Sequence, residues 1–459
     1  MNFDKRLKNY ALILLVFAVG LGFNACDDNN DKPKPGVSDI NKFIYDNMNV
    51  LYYWNEEMPN IDYRKEGDSK EYFEKLLKKP DDRWSFITDN IKELEDYFAG
   101  IVKSPGYSIQ LYYLEEGSNQ VVAIVEFVYR DSPAEEAGLQ RGDIIYKING
   151  EVLNDKNYIS LLSLESKTIT LAQISQGELI ELSPTVVVKD LEDLKQHPIV
   201  ATSIIDNGGS KIAYLAYTSF IAGYDDELAD VFREFKAEGV KELVLDLRYN
   251  SGGSVSSAHK LVNMIVPASE NGKPFINERY NSVLSELDAT LKFNIEEETN
   301  LNLQRLYVLT TERTASASEM VIYGLAPYME VIQIGATTHG KYYASVTWTD
   351  NNLEPEKRRH QWAIQPIIIK SENVDNSIDY SKGLAPDYEL RDNNYNSDLG
   401  DEDEYFLAAA ISLIKGETFE AIRLKSASGE GFSKPLRGFR EKIDPLHGTM
   451  WVENSKLGY

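Results

Sequence analysis

The chain has 459 residues and carries 73 acidic against 48 basic side chains, for a net charge of −25. This length predicts two or three domains, and the acidic balance argues against a nucleic-acid partner because an anionic surface repels phosphate backbones. A single cysteine excludes an intrachain disulfide and a zinc site built from several thiolates. Five histidines without an H-E-x-x-H arrangement argue against a metallopeptidase, so no metal site is predicted.

Residues 1–25 have the pattern of a signal peptide. Three basic side chains within positions 5–8 precede an apolar run over 11–23, which is too short to span a bilayer as a helix. Cys26 follows, and the whole segment resembles a bacterial lipoprotein signal in which this cysteine receives lipid and becomes the mature N-terminus. The alternative is an ordinary secretory signal with an incidental cysteine. Residues 26–38 are polar and contain Pro and Gly, which predicts a flexible tether.

Residues 39–100 are predicted to form a small helical module. Apolar side chains recur at three- and four-residue spacing over 40–52, 72–77 and 91–97. The aromatic residues of this region, Trp84 among them, are predicted to form its core rather than a ligand cage.

Between residues 104 and 188 the periodicity predicts short strands, at 107–113, 121–128, 144–148 and 168–174. The segment Asp131–Gly150, D-S-P-A-E-E-A-G-L-Q-R-G-D-I-I-Y-K-I-N-G, resembles a PDZ domain of the bacterial processing-protease type. Within it, Ser132 and Pro133 predict the start of a short helix that Gly138 ends.

The same resemblance implies a peptide-binding loop whose N–H groups hold a terminal carboxylate, formed by Gly106, Tyr107, Ser108 and Ile109. Any strand that follows a Pro-Gly turn would show a similar pattern, so both interpretations stand at this point.

From residue 190 to 415 helices alternate with strands, which is typical of an α/β domain. The predicted strands are 212–217, 243–247, 306–309 and 331–334, and the predicted helices are 225–238, 255–265 and 317–325. Residues 416–459 are polar with little periodicity and form a C-terminal extension without a predicted role.

Three motifs of the α/β domain could carry chemistry. D-L-R-Y-N-S-G-G, Asp246–Gly253, places two glycines after a strand, where outward N–H groups can bind an oxyanion. T-A-S-A-S-E, Thr314–Glu319, fits a helix-capping box but also places a serine hydroxyl at a helix start. G-A-T-T-H-G-K, Gly335–Lys341, ends in a lysine that is either a surface residue or, if burial lowers its pKa, a general base.

In this order, after a PDZ-like segment, the three motifs resemble those of the carboxy-terminal processing peptidases, also called tail-specific proteases. The resemblance covers residues 39–415 and implies a crotonase/ClpP-like core that needs no cofactor. It implies that Ser316 is the nucleophile and Lys341, twenty-five residues later, is the general base. The N–H groups of Ala317 and Gly253 would form the oxyanion hole, with Gly252 as a weaker candidate for the second position.

One position departs from the family pattern. Many processing peptidases carry a glutamine four residues after the lysine, whereas this chain has Ser345, which makes that serine the candidate third catalytic member. His339 lies two residues before Lys341 and is the second candidate for the base, since a histidine needs no large pKa shift.

The sequence therefore predicts a multidomain α/β serine endopeptidase that hydrolyses protein substrates with a Ser-Lys dyad. Its PDZ segment would capture free C-termini, and its lipid anchor would hold it to a membrane of the bacterial cell envelope, facing the periplasm or the surface. The alternative function is a weakly active or inactive peptide-binding lipoprotein on the same scaffold. No motif predicts an oligomeric state.

Overall fold

The computed structural model describes residues 35–115, 117–175, 178–375, 379–418, 435–436, 439 and 449–452. Residues 1–34, which include the predicted signal peptide and Cys26, lie outside the described residues. Within these ranges, no helix combines the length and the apolar character that crossing a bilayer requires.

The N-terminal module contains three α-helices, Val37–Leu51, Ser69–Leu76 and Ile91–Phe98. The side chains of Asp68 and Asn90 cap the second and third helices by accepting from backbone N–H groups. The apolar face of the first helix, including Ile44 and Met48, is buried in the same hydrophobic cluster as the α/β domain. The module is therefore packed onto the rest of the chain through a shared core.

The PDZ-like domain is a β-sheet with two short helices, Pro133–Glu136 and Tyr158–Leu162. The predicted short helix is confirmed, since the Ser132 hydroxyl accepts from the Glu135 N–H and Pro133 is the first helical residue. Its main strands lie in the spatial order Tyr107–Tyr113, Val121–Val128, Ile144–Ile148, Ser166–Ser175 and Glu178–Glu181, with Glu151–Val152 and Val186–Lys189 paired to the side. The strand Tyr107–Tyr113, called the PDZ edge strand below, therefore borders the sheet.

A six-stranded sheet forms the centre of the α/β domain. Its strands lie in the order Ile199–Asn207, Ser210–Tyr217, Val240–Asp246, Arg305–Thr310, Glu330–Gly335 and Tyr388–Glu389, all parallel from the second strand onward. One face packs on the helices Asp225–Ala237, Val255–Ile265 and Ala317–Leu325, and the other on Tyr405–Ile414. Leu215 and Tyr214 lie in different clusters because successive strand side chains point to opposite faces.

A second six-stranded sheet was not predicted from the sequence. Its strands lie in the order Gly253–Ser254, Met450–Trp451, Tyr343–Ser345, Ile367–Glu372, Pro274–Arg279 and Ala289–Lys292. Two further strand pairs join Phe86–Thr88 to Ala363–Gln365 and Ile101–Ser104 to Leu191–Lys195. The predicted multidomain α/β architecture is confirmed, and a strand of the C-terminal extension lies inside this second sheet.

Candidate active site

Ser316 lies immediately before the helix Ala317–Leu325 with a strained backbone. Its φ is +67°, whereas the other non-glycine residues of positive φ in the described chain are Asn or Asp, which tolerate this region better. The side chain is fully buried, and its hydroxyl has no hydrogen-bond partner among the described residues. Strain of this kind concentrates at functional sites, and here it leaves a serine oxygen uncommitted.

The glycine turn after the strand Val240–Asp246 lies against Ser316. A Cβ added at Gly252 would come within 2.7 Å of the Ser316 Cβ, so only glycine permits this approach. The buried Asn250 holds the turn, because its Oδ1 accepts from the Gly252 N–H at 2.8 Å and its Nδ2 donates to the Tyr217 carbonyl at 2.9 Å. No pattern in the sequence predicts this role for Asn250.

Glu319 joins the serine turn to the lysine loop. Its Oε2 accepts from the Ser316 N–H at 2.7 Å and from the Lys341 N–H at 2.8 Å. Its Oε1 accepts from the Gly340 N–H at 2.6 Å and from the Thr338 hydroxyl at 2.5 Å. Burial raises the pKa of this carboxyl, while these hydrogen bonds oppose the rise. The capping residue expected from the sequence therefore also brings the main chains of Ser316 and Lys341 together.

Lys341 is a buried lysine, with 1% of its surface exposed. Burial lowers the pKa of its ammonium group to about 7, although the carboxylates of Asp82 and Glu319 act in the opposite direction. At neutral pH a large fraction of the side chain is therefore a neutral amine that can accept a proton.

The N-terminal module supplies part of the surroundings of Lys341. The Lys341 Nζ lies 5.7 Å from the centroid of the Trp84 ring, which is only partly buried. Asp82 is fully buried; its Oδ1 accepts from the N–H groups of Trp84 and Ser85, and its Oδ2 has no hydrogen-bond partner among the described residues. The sequence predicts Trp84 as a core residue, and no motif in it points to Asp82.

The two remaining catalytic candidates are differently placed. The Ser345 hydroxyl donates to the Met450 carbonyl at 2.8 Å and accepts from the Gln365 Nε2 at 2.9 Å. Its proton is thus directed to the C-terminal strand. His339 is half-buried. Its main-chain N–H donates at 3.0 Å to the carbonyl of Thr314, two residues from Ser316.

The candidate oxyanion-hole residues flank the serine. Ala317 is the first residue of its helix, so its N–H has no acceptor within that helix. Gly253 lies in the strand Gly253–Ser254, next to Gly252. The Gly252 N–H already donates to Asn250, and Gly253 stays the predicted second donor.

The predicted peptide-binding loop and the glycine turn at Gly252 line the same cavity. A cavity of about 950 Å³ is lined by Tyr107, Ser108 and Ile109 and also by Gly252. Gly106 precedes the PDZ edge strand at a φ of +90°, where a Cβ would lie 2.2 Å from the Ser132 Cβ.

An ion pair joins the strand Val121–Val128 of the PDZ-like domain to the segment just before Ser316. Both oxygens of the buried Glu126 carboxylate accept from the Arg313 guanidinium, at 2.9 and 2.7 Å, three residues before Ser316. The Ser108 hydroxyl donates to the same carboxylate at 2.7 Å. The peptide-binding loop and the serine turn therefore share one carboxylate.

Comparison with known families agrees with this architecture. Residues 211–390 match "Peptidase family S41", residues 39–86 match "Peptidase S41 N-terminal domain", and residues 124–172 match "PDZ domain". The chain is a serine peptidase with a PDZ domain.

Individual relatives extend over most of the chain. A crystal structure described as an S41 protease, from Bacteroides fragilis NCTC 9343, is 30% identical, with a TM-score of 0.70 over 84% of this chain and 99% of that one. A "Probable CtpA-like serine protease" of Staphylococcus aureus strain N315 is 24% identical over 82% of this chain and 73% of its own length. "Carboxyl-terminal-processing peptidase 1, chloroplastic" of Arabidopsis thaliana is 26% identical over 51% of this chain and 47% of its own length. The chain belongs to peptidase family S41, which confirms the resemblance found in the sequence.

Proposed function

We propose that this peptidase cleaves protein substrates with a Ser316–Lys341 dyad. The observation that carries the proposal is the Glu319 carboxylate, whose Oε2 accepts from the main chains of both residues. The burial of Lys341 supports its role as base, because its pKa is lowered to about 7. His339 remains the second candidate for the base. Its main-chain N–H donates to the carbonyl of Thr314, two residues before Ser316.

In the proposed reaction the Ser316 Oγ attacks the scissile carbonyl carbon while Lys341 accepts the hydroxyl proton. The N–H groups of Ala317 and Gly253 would stabilise the oxyanion. The lysine then gives its proton to the leaving amine, and an acyl-enzyme remains on Ser316. A water molecule, deprotonated by the same amine, releases the acyl group and regenerates the serine.

The test is cleavage of a denatured protein by the wild type and by Ser316→Ala. We expect the variant to lose at least about 10³-fold in kcat/KM, because the nucleophile and base act as one unit. Ser269→Ala is the control, since it removes the hydroxyl of an exposed serine. Equal activity of wild type and Ser316→Ala would contradict the proposal and favour the peptide-binding alternative.

The PDZ domain is proposed to capture the free C-terminus of a substrate. Such domains add an extended peptide to a sheet edge, and the PDZ edge strand borders its sheet. The cavity that links Tyr107–Ile109 to Gly252 supports a path from capture to cleavage. Amidation of the C-terminus of a long substrate should then raise KM with little change in kcat, and equal kinetics for acid and amide would exclude carboxylate capture.

Lipid anchoring at Cys26 in the bacterial cell envelope is proposed from the sequence alone. The basic start, the apolar run and the lone cysteine support it. A Cys26→Ser protein should move from the membrane fraction to the soluble fraction, and persistence on the membrane after a high-salt wash would contradict the anchor.

A further inference from the structure

The chain's own C-terminal extension pairs with the PDZ edge strand. Pro435 forms an antiparallel bridge with Tyr112, and the Leu436 N–H donates to the Leu111 carbonyl at 2.8 Å. Leu436 and Phe439 are buried in the hydrophobic cluster of the PDZ domain. Because the pairing is antiparallel, the direction from Pro435 to Leu436 points toward the Gly106 end of the strand. This is the geometry in which a peptide ligand augments a sheet edge.

A second part of the extension lies beside the glycine turn that carries Gly252 and Gly253. The strand Met450–Trp451 is inserted between Gly253–Ser254 and Tyr343–Ser345, parallel to both. The Ser345 hydroxyl donates to the Met450 carbonyl at 2.8 Å, and the Val452 N–H donates to the Ser345 carbonyl at 3.0 Å. Met450 pairs in register with Gly253, the candidate oxyanion-hole residue.

The second of these contacts also borders the cavity described above. Thr449 and Trp451 line the same cavity as Gly252 and the start of the PDZ edge strand. The Trp451 ring stacks on Phe98 with a centroid separation of 4.0 Å. The Ser316 side chain is fully buried in this arrangement.

We infer that residues 435–436, 439 and 449–452, called the tail contacts, occupy the peptide groove and the catalytic cleft of their own molecule, so that a substrate must displace them. The inference rests on the proposed function, which assigns substrate to the same groove. An intramolecular ligand has an effective concentration of the order of millimolar, so it competes well even when its contacts are few. The apparent affinity for substrate is reduced by the fraction of molecules in which the groove is open.

The experiment compares full-length variants. Leu436→Asp/Phe439→Asp places charges where apolar side chains are buried and should release the tail from the groove, and Trp451→Ala removes the stacking on Phe98. Val187→Asp is the matched control, because this PDZ residue is 64% exposed. We expect kcat/KM for a denatured protein to rise at least about fivefold in the double variant, mainly through KM, and less in Trp451→Ala.

Peptide binding gives a second readout that does not depend on catalysis. A fluorescein-labelled peptide with the sequence of residues 431–459, titrated in the Ser316→Ala background, should bind the double variant at least about tenfold more tightly than the parent. Variants with lower unfolding midpoints, lower activity and no gain in peptide binding would show a structural strand and overturn the inference.

The two proposals fail separately. If no variant cleaves protein but the peptide prefers the double variant, the tail inference stands and the peptidase mechanism is wrong. If Ser316-dependent cleavage and peptide binding are the same in all variants, the mechanism stands and the tail inference is wrong.

Discussion

Two buried cations of the α/β domain, Arg248 and Lys341, lie in opposite electrostatic surroundings. Arg248 is fully buried and contacts three carboxylates, Asp246 at 2.6 Å, Glu404 at 3.0 Å and Asp392 at 3.3 Å. Burial alone would lower the pKa of its guanidinium, but these carboxylates hold it well above the usual value. Arg248 is therefore a permanent cation.

At Lys341 burial prevails over the carboxylates. The oxygens of Glu319 accept from main-chain N–H groups and from Thr338, so its hydrogen bonds hold the loop rather than the ammonium group. The aromatic ring of Trp84 adds an apolar surface. Equal burial thus gives a structural cation where three carboxylates contact the guanidinium directly, and a titratable base where burial outweighs the attraction of Asp82 and Glu319.

Replacing the titratable Lys341 by a permanently charged arginine should have the largest effect on activity. In Lys341→Arg the side chain cannot lose its proton near neutral pH, so kcat/KM should fall by about 10³-fold or more. Lys382→Arg, on an exposed neighbouring loop, is the control and should be as active as the wild type. An arginine variant with a tenth of normal activity would mean that Lys341 is not the base, and His339→Ala would be the next variant.

Removing the structural cation should chiefly affect stability. Arg248→Ala removes the cation that the buried Asp246 contacts and leaves Glu404 with the Arg141 ion pair, which should lower the free energy of unfolding by about 3–5 kcal/mol. Arg233→Ala breaks an ion pair with Asp230 in which both side chains are exposed, and it should cost much less. Urea unfolding measures both, and similar losses in the two variants would refute the distinction between buried and exposed pairs.

The pH dependence should report the tuning of Lys341. Because the neutral amine is the active form, kcat/KM should rise with pH through a midpoint of about 7. Asp82→Asn removes an anion that raises the pKa of Lys341, so the midpoint should move to lower pH. Asp81→Asn alters an exposed neighbour and should leave it in place. A midpoint that rises or does not move in Asp82→Asn would contradict the role of Asp82.

The same lowered pKa has a consequence for stability. The unfolded chain binds a proton that the folded Lys341 lacks between pH of about 7 and about 10, so the free energy of unfolding should rise with pH across this window. A Lys341→Met variant should lose that part of the pH dependence.

The elements of the central sheet could be predicted because their signals are local. The helix predicted at 255–265 is observed as Val255–Ile265, and the strand predicted at 331–334 is observed as Glu330–Gly335. The strands Tyr343–Ser345 and Ile367–Glu372 were missed, since short strands in a mixed sheet carry weak periodicity.

The site was predicted where a motif lies within a few residues and missed where distant segments meet. Ser316, Lys341 and Glu319 belong to two short motifs, although the cap alone did not reveal that Glu319 reaches the lysine loop. Asp82 belongs to a different module, and no spacing rule connects it to Lys341. Ser345 was expected to contact the lysine from its position alone, but its hydroxyl bonds depend on a strand from the C-terminal extension.

The contribution of the N-terminal module to the lysine pocket also bears on when, during biosynthesis, the peptidase acquires its activity. An exposed lysine with a pKa of about 10.4 is neutral in fewer than about one molecule in a thousand at pH 7. Until the segment with Asp82 and Trp84 packs beside Lys341, a nascent or partly folded chain should therefore have a protonated Lys341 and little peptidase activity. Such a requirement would protect the chain itself from premature proteolysis, without a separate inhibitor.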